Sequence, residues 1–129
     1  MRILVAEDNV AMGNVIGFNL KKAGLEVVHV VSGDMAWRLL QLRDFDLLVT
    51  DYQMPGMNGG ELCRRIREEL RLAAFPVILL TAKGLEIDVA FYRETLGVSA
   101  VLMKPFSPRE LTQLVQENLA AGASVQQTG

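Results

Sequence analysis

Acidic, hydroxyl and basic side chains recur in this chain at one kind of place, immediately after an apolar run. Glu7 and Asp8 follow Ile3-Ala6, Asp51 follows Leu47-Thr50, Thr81 follows Val77-Leu80, and Lys104-Pro105 follows Ala100-Met103. Ser32-Gly33 closes a fifth run, Val27-Val31. If the runs are parallel strands of one sheet, their carboxyl ends open onto a common rim. Three carboxylates, one hydroxyl and one ammonium then converge there. Two carboxylates about 4 Å apart repel by roughly 4 kcal/mol at an effective dielectric of 20, so the group needs a cation or a bound proton. Oxygen ligands with no His or Cys beside them select a hard ion, Mg²⁺ or Mn²⁺, over zinc. The same set suits attack by a carboxylate on a phosphoryl group. The metal and Lys104 would neutralise the phosphoryl oxygens and Thr81 would donate to one of them.

The elements that must position these residues are legible from periodicity. The five apolar runs are nearly continuous, as expected of strands covered on both faces of a parallel sheet. Met12, Val15, Ile16, Leu20 and Ala23 share one face of a helix ending near Gly24. Ala36, Leu39 and Leu40 form a shorter stripe after Ser32, and Leu62, Cys63, Ile66 and Leu70 form a third. The pattern predicts a fourth helix from Leu85 to Leu96. Ser107-Pro108-Arg109-Glu110 reads as a capping box opening the fifth, which carries Leu111, Leu114, Val115, Asn118 and Leu119 on one face. Strand and helix thus alternate five times, and right-handed crossovers make this a single doubly wound α/β domain. The domain is expected over residues 1–121. Residues 122–129, small and polar, are expected to form a flexible tail or the start of a linker.

Composition narrows the function classes. A chain of 129 residues, half of them hydrophobic, supports one ordinary core without staples. A net charge of −2 gives no electrostatic case for nucleic acid or an anionic membrane as a direct partner. No apolar stretch approaches the roughly 20 residues of a membrane span, and Met1-Ala6 is too short for a signal peptide. The single cysteine, Cys63, has no internal partner, so a reducing, cytoplasmic setting is expected.

Four stretches together resemble the receiver domain of bacterial two-component response regulators. They are Ile3-Asn9, Leu48-Gly59 (with Asp51-Tyr52-Gln53-Met54-Pro55-Gly56), Val77-Ala82 and Leu102-Phe106. The resemblance implies a flavodoxin-like (βα)5 fold with a five-stranded sheet of order 2-1-3-4-5. It implies Asp51 as phosphoacceptor, Mg²⁺ (or Mn²⁺) held by Asp8, Asp51 and the Gln53 carbonyl with Glu7 acting through water, and Thr81 and Lys104 on the phosphoryl oxygens. It further implies a cis Lys104-Pro105 bond. A histidine kinase or histidine phosphotransfer protein would supply the phosphoryl group. The face around the fourth helix, fifth strand and fifth helix would engage a downstream protein, an output domain or, on phosphorylation, a second copy.

Three features distinguish the chain within the family's pattern. Val101 stands where relatives carry a switching aromatic ring, three residues before the strand-five lysine. Phe91 or Tyr92 is the available substitute, against simple helix packing. One residue appears to be inserted between Thr81 and Lys104. The positions that gate water at the acyl phosphate are Gln53 and Lys83, and a long Lys83 is expected to prolong its lifetime. Other conspicuous residues read as structural: His29 inside a strand, Cys63 on a core stripe, Trp37 covering the sheet, and Arg64, Arg65, Arg67 and Arg71 interleaved with Glu61, Glu68 and Glu69 on a solvated face. Met54 and Met57 flank Pro55 and fit loop packing or a docking patch equally.

The leading expectation is therefore a phosphorylation-switched signalling module rather than an enzyme with a diffusing substrate. A pseudo-receiver acting as a constitutive interaction module is the alternative that Val101 keeps open. An aspartyl-phosphate phosphatase is disfavoured, because Gln53 replaces the second acid such enzymes use. No DNA-binding or catalytic segment follows residue 121, so the chain is expected to be a stand-alone receiver or part of a longer protein.

Overall fold

The computed structural model describes residues 1–82 and 87–128. Five strands, β1 (Arg2–Ala6), β2 (Glu26–Val30), β3 (Leu47–Asp51), β4 (Val77–Ala82) and β5 (Ala100–Lys104), form one sheet of order β2-β1-β3-β4-β5. Every pairing is parallel. The chain reverses direction across the sheet between β1 and β3, which is where a doubly wound fold places its ligand crevice.

Side-chain alternation along the strands builds two cores. Leu4, Ala6, Leu48, Val77 and Leu79 face α2 (Gly33–Leu42) and α3 (Gly59–Glu68), meeting Ala36, Leu40, Leu62 and Ile66. Ile3, Val5, Leu47, Val49, Ile78 and Leu80 face α1 (Val10–Lys22) and α4 (Pro108–Thr128), meeting Ile16, Leu20, Leu111 and Val115. Burial on both faces explains why the strands read as unbroken apolar runs.

Capping sets where the helices start. Asn9, Ser32 and Asn58 each accept a backbone N–H from the first turn of α1, α2 and α3. At α4 the Ser107 hydroxyl accepts from the Glu110 N–H at 3.0 Å, which is the first half of the expected capping box. The Lys104–Pro105 peptide is cis.

Two stretches differ from expectation. The fourth helix is shorter than Leu85–Leu96: Ile87 and Asp88 are non-helical, and helical structure begins at Val89 and continues as a π-helical segment, Phe91–Thr95. The reason is local, because the Asp88 carboxylate accepts the Phe91 N–H at 3.0 Å and acts as a cap rather than an interior residue. Leu85, the expected start, lies outside the described residues, as does Lys83. At the other end, backbone expected to form a tail is helical through Thr128. Beyond Gly122 that segment contains no proline and consists mainly of residues that tolerate a helix.

Candidate functional site

Each strand delivers its polar residue to the carboxyl edge by ending there. Asp51 is the last residue of β3 and Lys104 the last of β5, while Glu7 and Asp8 come just after β1. Thr81 is the penultimate residue of β4, in register with Met103. Carboxylate oxygens of Glu7, Asp8 and Asp51 all lie within 4.8 Å of one another. Glu7 and Asp51 are buried and Asp8 is exposed, so the cluster has a sealed floor and an open lip.

Lys104 is the internal counter-charge. Its Nζ donates to Glu7 Oε1 at 2.9 Å and to Asp51 Oδ2 at 2.8 Å. Burial works against the ammonium, but the bonds to Asp51 and Glu7 outweigh it and hold the Lys104 pKa above the ordinary lysine value. One ammonium does not balance three carboxylates. Burial pushes the Glu7 carboxyl up to about 7, with the neighbouring Asp51 charge adding to the effect and Lys104 opposing it. The site therefore retains unsatisfied affinity for positive charge.

The hydroxyl of Thr81 gives a second, independent sign of an incomplete site. It is buried, and among the described residues its Oγ1 has no hydrogen-bond partner. Leaving such a group unpaired costs about 1–3 kcal/mol, which a ligand oxygen at the rim would recover. An acidic trio short of cation and a hydroxyl short of an acceptor fit a divalent cation together with a phosphoryl group. Of the expected site residues, Glu7, Asp8, Asp51 and Lys104 form one contiguous cluster. Thr81 sits on the adjacent strand, and Gln53 is exposed in the loop after β3.

That loop is held in part by Asp34, whose role was not apparent from sequence. Asp34, in the first turn of α2, accepts the Met57 N–H at 3.1 Å. The Gly59 N–H donates to the Tyr52 carbonyl at 2.8 Å, and a Cβ at Gly59 would come within 2.3 Å of the Asp51 carbonyl oxygen. Only glycine allows α3 to start so close to the end of β3. The Asn9 N–H donates to Glu7 Oε2 at 3.3 Å, so Asn9 both caps α1 and steadies the acid. Met57 is buried in the α2–α3 core, which favours loop packing over an exposed docking patch.

Cys63 is structural as expected, whereas Arg67 departs from the solvated face expected of it. Cys63 is buried and its thiol is pushed up to about 12 by burial, so it stays protonated and unreactive at neutral pH. Arg67 spends its guanidinium on the carbonyls of Leu96, Leu72 and Gly97 rather than facing solvent. Val101 packs partly buried against the α2–α3 core.

The fold and the rim together define an α/β domain of flavodoxin type with an acidic pocket at the carboxyl edge of its sheet. Residues 3–116 match the family described as response regulator receiver domain, and the chain belongs to that family of two-component signalling domains. It is similar to the signal receiver domain of a signal transduction histidine kinase from Syntrophus aciditrophicus (31% identity, 93% of this chain and 90% of that one, TM-score 0.82). It is also similar to the Francisella response regulator 1452 receiver domain (26%, 94% and 98%, TM-score 0.84). A third relative is the chemotaxis response regulator CheY4 of Vibrio cholerae (25%, 90% and 96%, TM-score 0.80).

Proposed function

We propose that this domain is a phosphoacceptor switch: Asp51 takes a phosphoryl group from a histidine kinase or histidine phosphotransfer protein, and the modified rim changes protein–protein contacts. The observation that carries the reading is the Glu7-Asp8-Asp51 cluster bridged by Lys104 beside the unpartnered Thr81 hydroxyl. Glu7, Asp8, Asp51 and the Gln53 carbonyl would hold Mg²⁺, with Mn²⁺ as a substitute. The ion would supply charge neutralisation for the carboxylates and the incoming phosphoryl oxygens. An oxygen of Asp51 forms the new bond to phosphorus as the donor's bond to phosphorus breaks, and the leaving group departs with the electron pair. Lys104, already bonded to Asp51, stays with the negative charge as it spreads onto the phosphoryl oxygens. Thr81 donates its hydroxyl hydrogen to one of those oxygens. The domain has no diffusing substrate of its own, and its chemistry is confined to gaining and losing this group.

An aspartyl phosphate adds about two negative charges to the rim. Transmission to a partner is proposed through the π-helical segment, β5 and α4, toward a downstream protein, an output domain or a second copy of the chain. Val101 cannot supply a swinging ring, but Tyr92 packs edge-to-face on Tyr52, the residue after Asp51, with centroids 5.9 Å apart. Phe91 packs on Tyr92 in turn and is exposed. The intact Asp8, Asp51, Thr81 and Lys104 favour a switch over the pseudo-receiver alternative, and this chain of rings offers it a route. No helix among the described residues is long and apolar enough to cross a membrane, in keeping with the proposed cytoplasmic setting. Incubation with acetyl phosphate and Mg²⁺, followed by intact mass, tests the reading. A phosphoryl mass gain absent in Asp51→Asn supports it, and no gain in the wild type leaves the pseudo-receiver.

A further inference from the structure

Glu7, the deepest carboxylate of the rim, is gripped through its backbone by two residues that phosphoryl chemistry does not itself require. Its N–H donates to the Val30 carbonyl at 3.0 Å, an ordinary strand-end bond. Its carbonyl lies 2.8 Å from Nε2 of His29. A carbonyl can only accept, so Nε2 carries the proton of this bond. His29 lies opposite Val5 in the β1–β2 register and therefore faces α1.

The ring has space there only because residue 13 has no side chain. A Cβ on Gly13 would lie 2.1 Å from His29 Cε1 and 2.2 Å from Nε2. Gly13 is buried inside α1, where glycine costs about 1 kcal/mol relative to alanine. No backbone requirement explains it, since the glycines with positive φ are Gly24, Gly56 and Gly97. What the glycine provides is a seat for an imidazole.

We infer that His29 is a positioning residue for the acidic site: seated in the niche left by Gly13, it donates Nε2–H to the Glu7 carbonyl and fixes where Glu7 and the adjoining Asp8 present their carboxylates. The inference rests on the proposed phosphoacceptor site and adds a residue to it. A part-buried ring nitrogen needs a partner, and the partner found here is the backbone of the acid cluster itself. Hydrogen-bonded groups that orient metal ligands are typically worth about 10–100-fold in metal affinity.

Three variants separate positioning from packing. His29→Gln keeps an N–H donor at comparable reach, His29→Phe fills the space without one, and Gly13→Ala keeps the histidine but removes its seat. Thermal unfolding establishes which variants are folded, and calorimetric titration of Mg²⁺ measures the site. The expected result is a loss of about 10-fold or more in Mg²⁺ affinity for His29→Phe and Gly13→Ala, with His29→Gln close to wild type. Nitrogen-15 NMR of the metal-free wild type at neutral pH should show His29 as the Nε2–H tautomer, a reading independent of metal and of whether any variant folds. An Nδ1–H tautomer overturns the inference. So does a folded His29→Phe protein that binds Mg²⁺ as tightly as wild type, or a His29→Gln protein no better than His29→Phe. If wild type takes up no Mg²⁺ at all, the phosphoacceptor reading falls and the role of His29 with it, whereas loss confined to the variants bears on His29 alone.

Discussion

At the rim, Lys104 is shared between Glu7 and Asp51, and burial moves the Glu7 carboxyl away from its solvated behaviour. The Glu7 carboxyl, raised to about 7 chiefly by burial, holds a proton in the folded metal-free protein that the unfolded chain releases near its ordinary value of 4.5. Between these two pH values the native state binds more protons, so its stability falls as pH rises through that window. Thermal midpoints in EDTA should decline across the window, and the decline should be shallower in Glu7→Gln. Equal slopes would remove the burial argument. Lys104→Met tests the other half of the pair. It removes a positioned positive charge from the proposed phosphoryl cradle and should slow labelling by acetyl phosphate by about 10²-fold while the protein still takes up Mg²⁺. The gathering of Glu7, Asp8, Asp51, Thr81 and Lys104 at one edge was legible, because each follows or ends an apolar run. Asp34, Asn9 and His29 were not. Asp34 and His29 each act by a hydrogen bond to backbone in a distant part of the chain, and His29 depends on a glycine in a different element, while Asn9 acts locally on Glu7 and Met12.

Among the elements, the π-helical segment departs most from its sequence pattern and bears most on signalling. Apolar spacing from Leu85 to Leu96 is satisfied equally well by a regular helix. The pattern therefore hides both the Asp88 cap and the i→i−5 bond from the Leu96 N–H to the Phe91 carbonyl. The segment places Tyr92 against Tyr52, and a Cβ at Gly60 would meet the Tyr92 hydroxyl oxygen at 2.4 Å, so α3 is built to admit that ring. An edge-to-face pair contributes about 0.5–1.5 kcal/mol beyond its area, enough to bias a switch. Tyr92→Leu should leave Asp51 labelling within about twofold, because the ring touches none of the charged groups, yet should uncouple the segment. On adding beryllofluoride, amide shifts at residues 51–53 should move as in wild type while those at 91–104 no longer respond. Undiminished shifts at 91–104 would place transmission elsewhere.

For the whole molecule, the parallel sheet and the two-sided core were readable because continuous apolar strands leave few alternatives to a covered sheet, whereas the strand order came from the resemblance to the receiver family. The exact extent of the helices was not, since caps and end geometry depend on single contacts. Leu79, buried in the interior strand β4, should cost about 2–5 kcal/mol when changed to alanine, measured by urea unfolding. That loss would confirm a tightly packed sheet but says nothing of signalling. The architecture matters because it brings Glu7, Asp8, Asp51, Thr81 and Lys104 to one edge, and the proposal stands on what that edge does. Intact-mass analysis after acetyl phosphate and Mg²⁺ addresses it directly. One phosphoryl group should appear on the wild type, should require the divalent cation, and should vanish in Asp51→Asn. A wild type that remains unmodified, or an Asp51→Asn protein labelled to the same extent, would contradict the account.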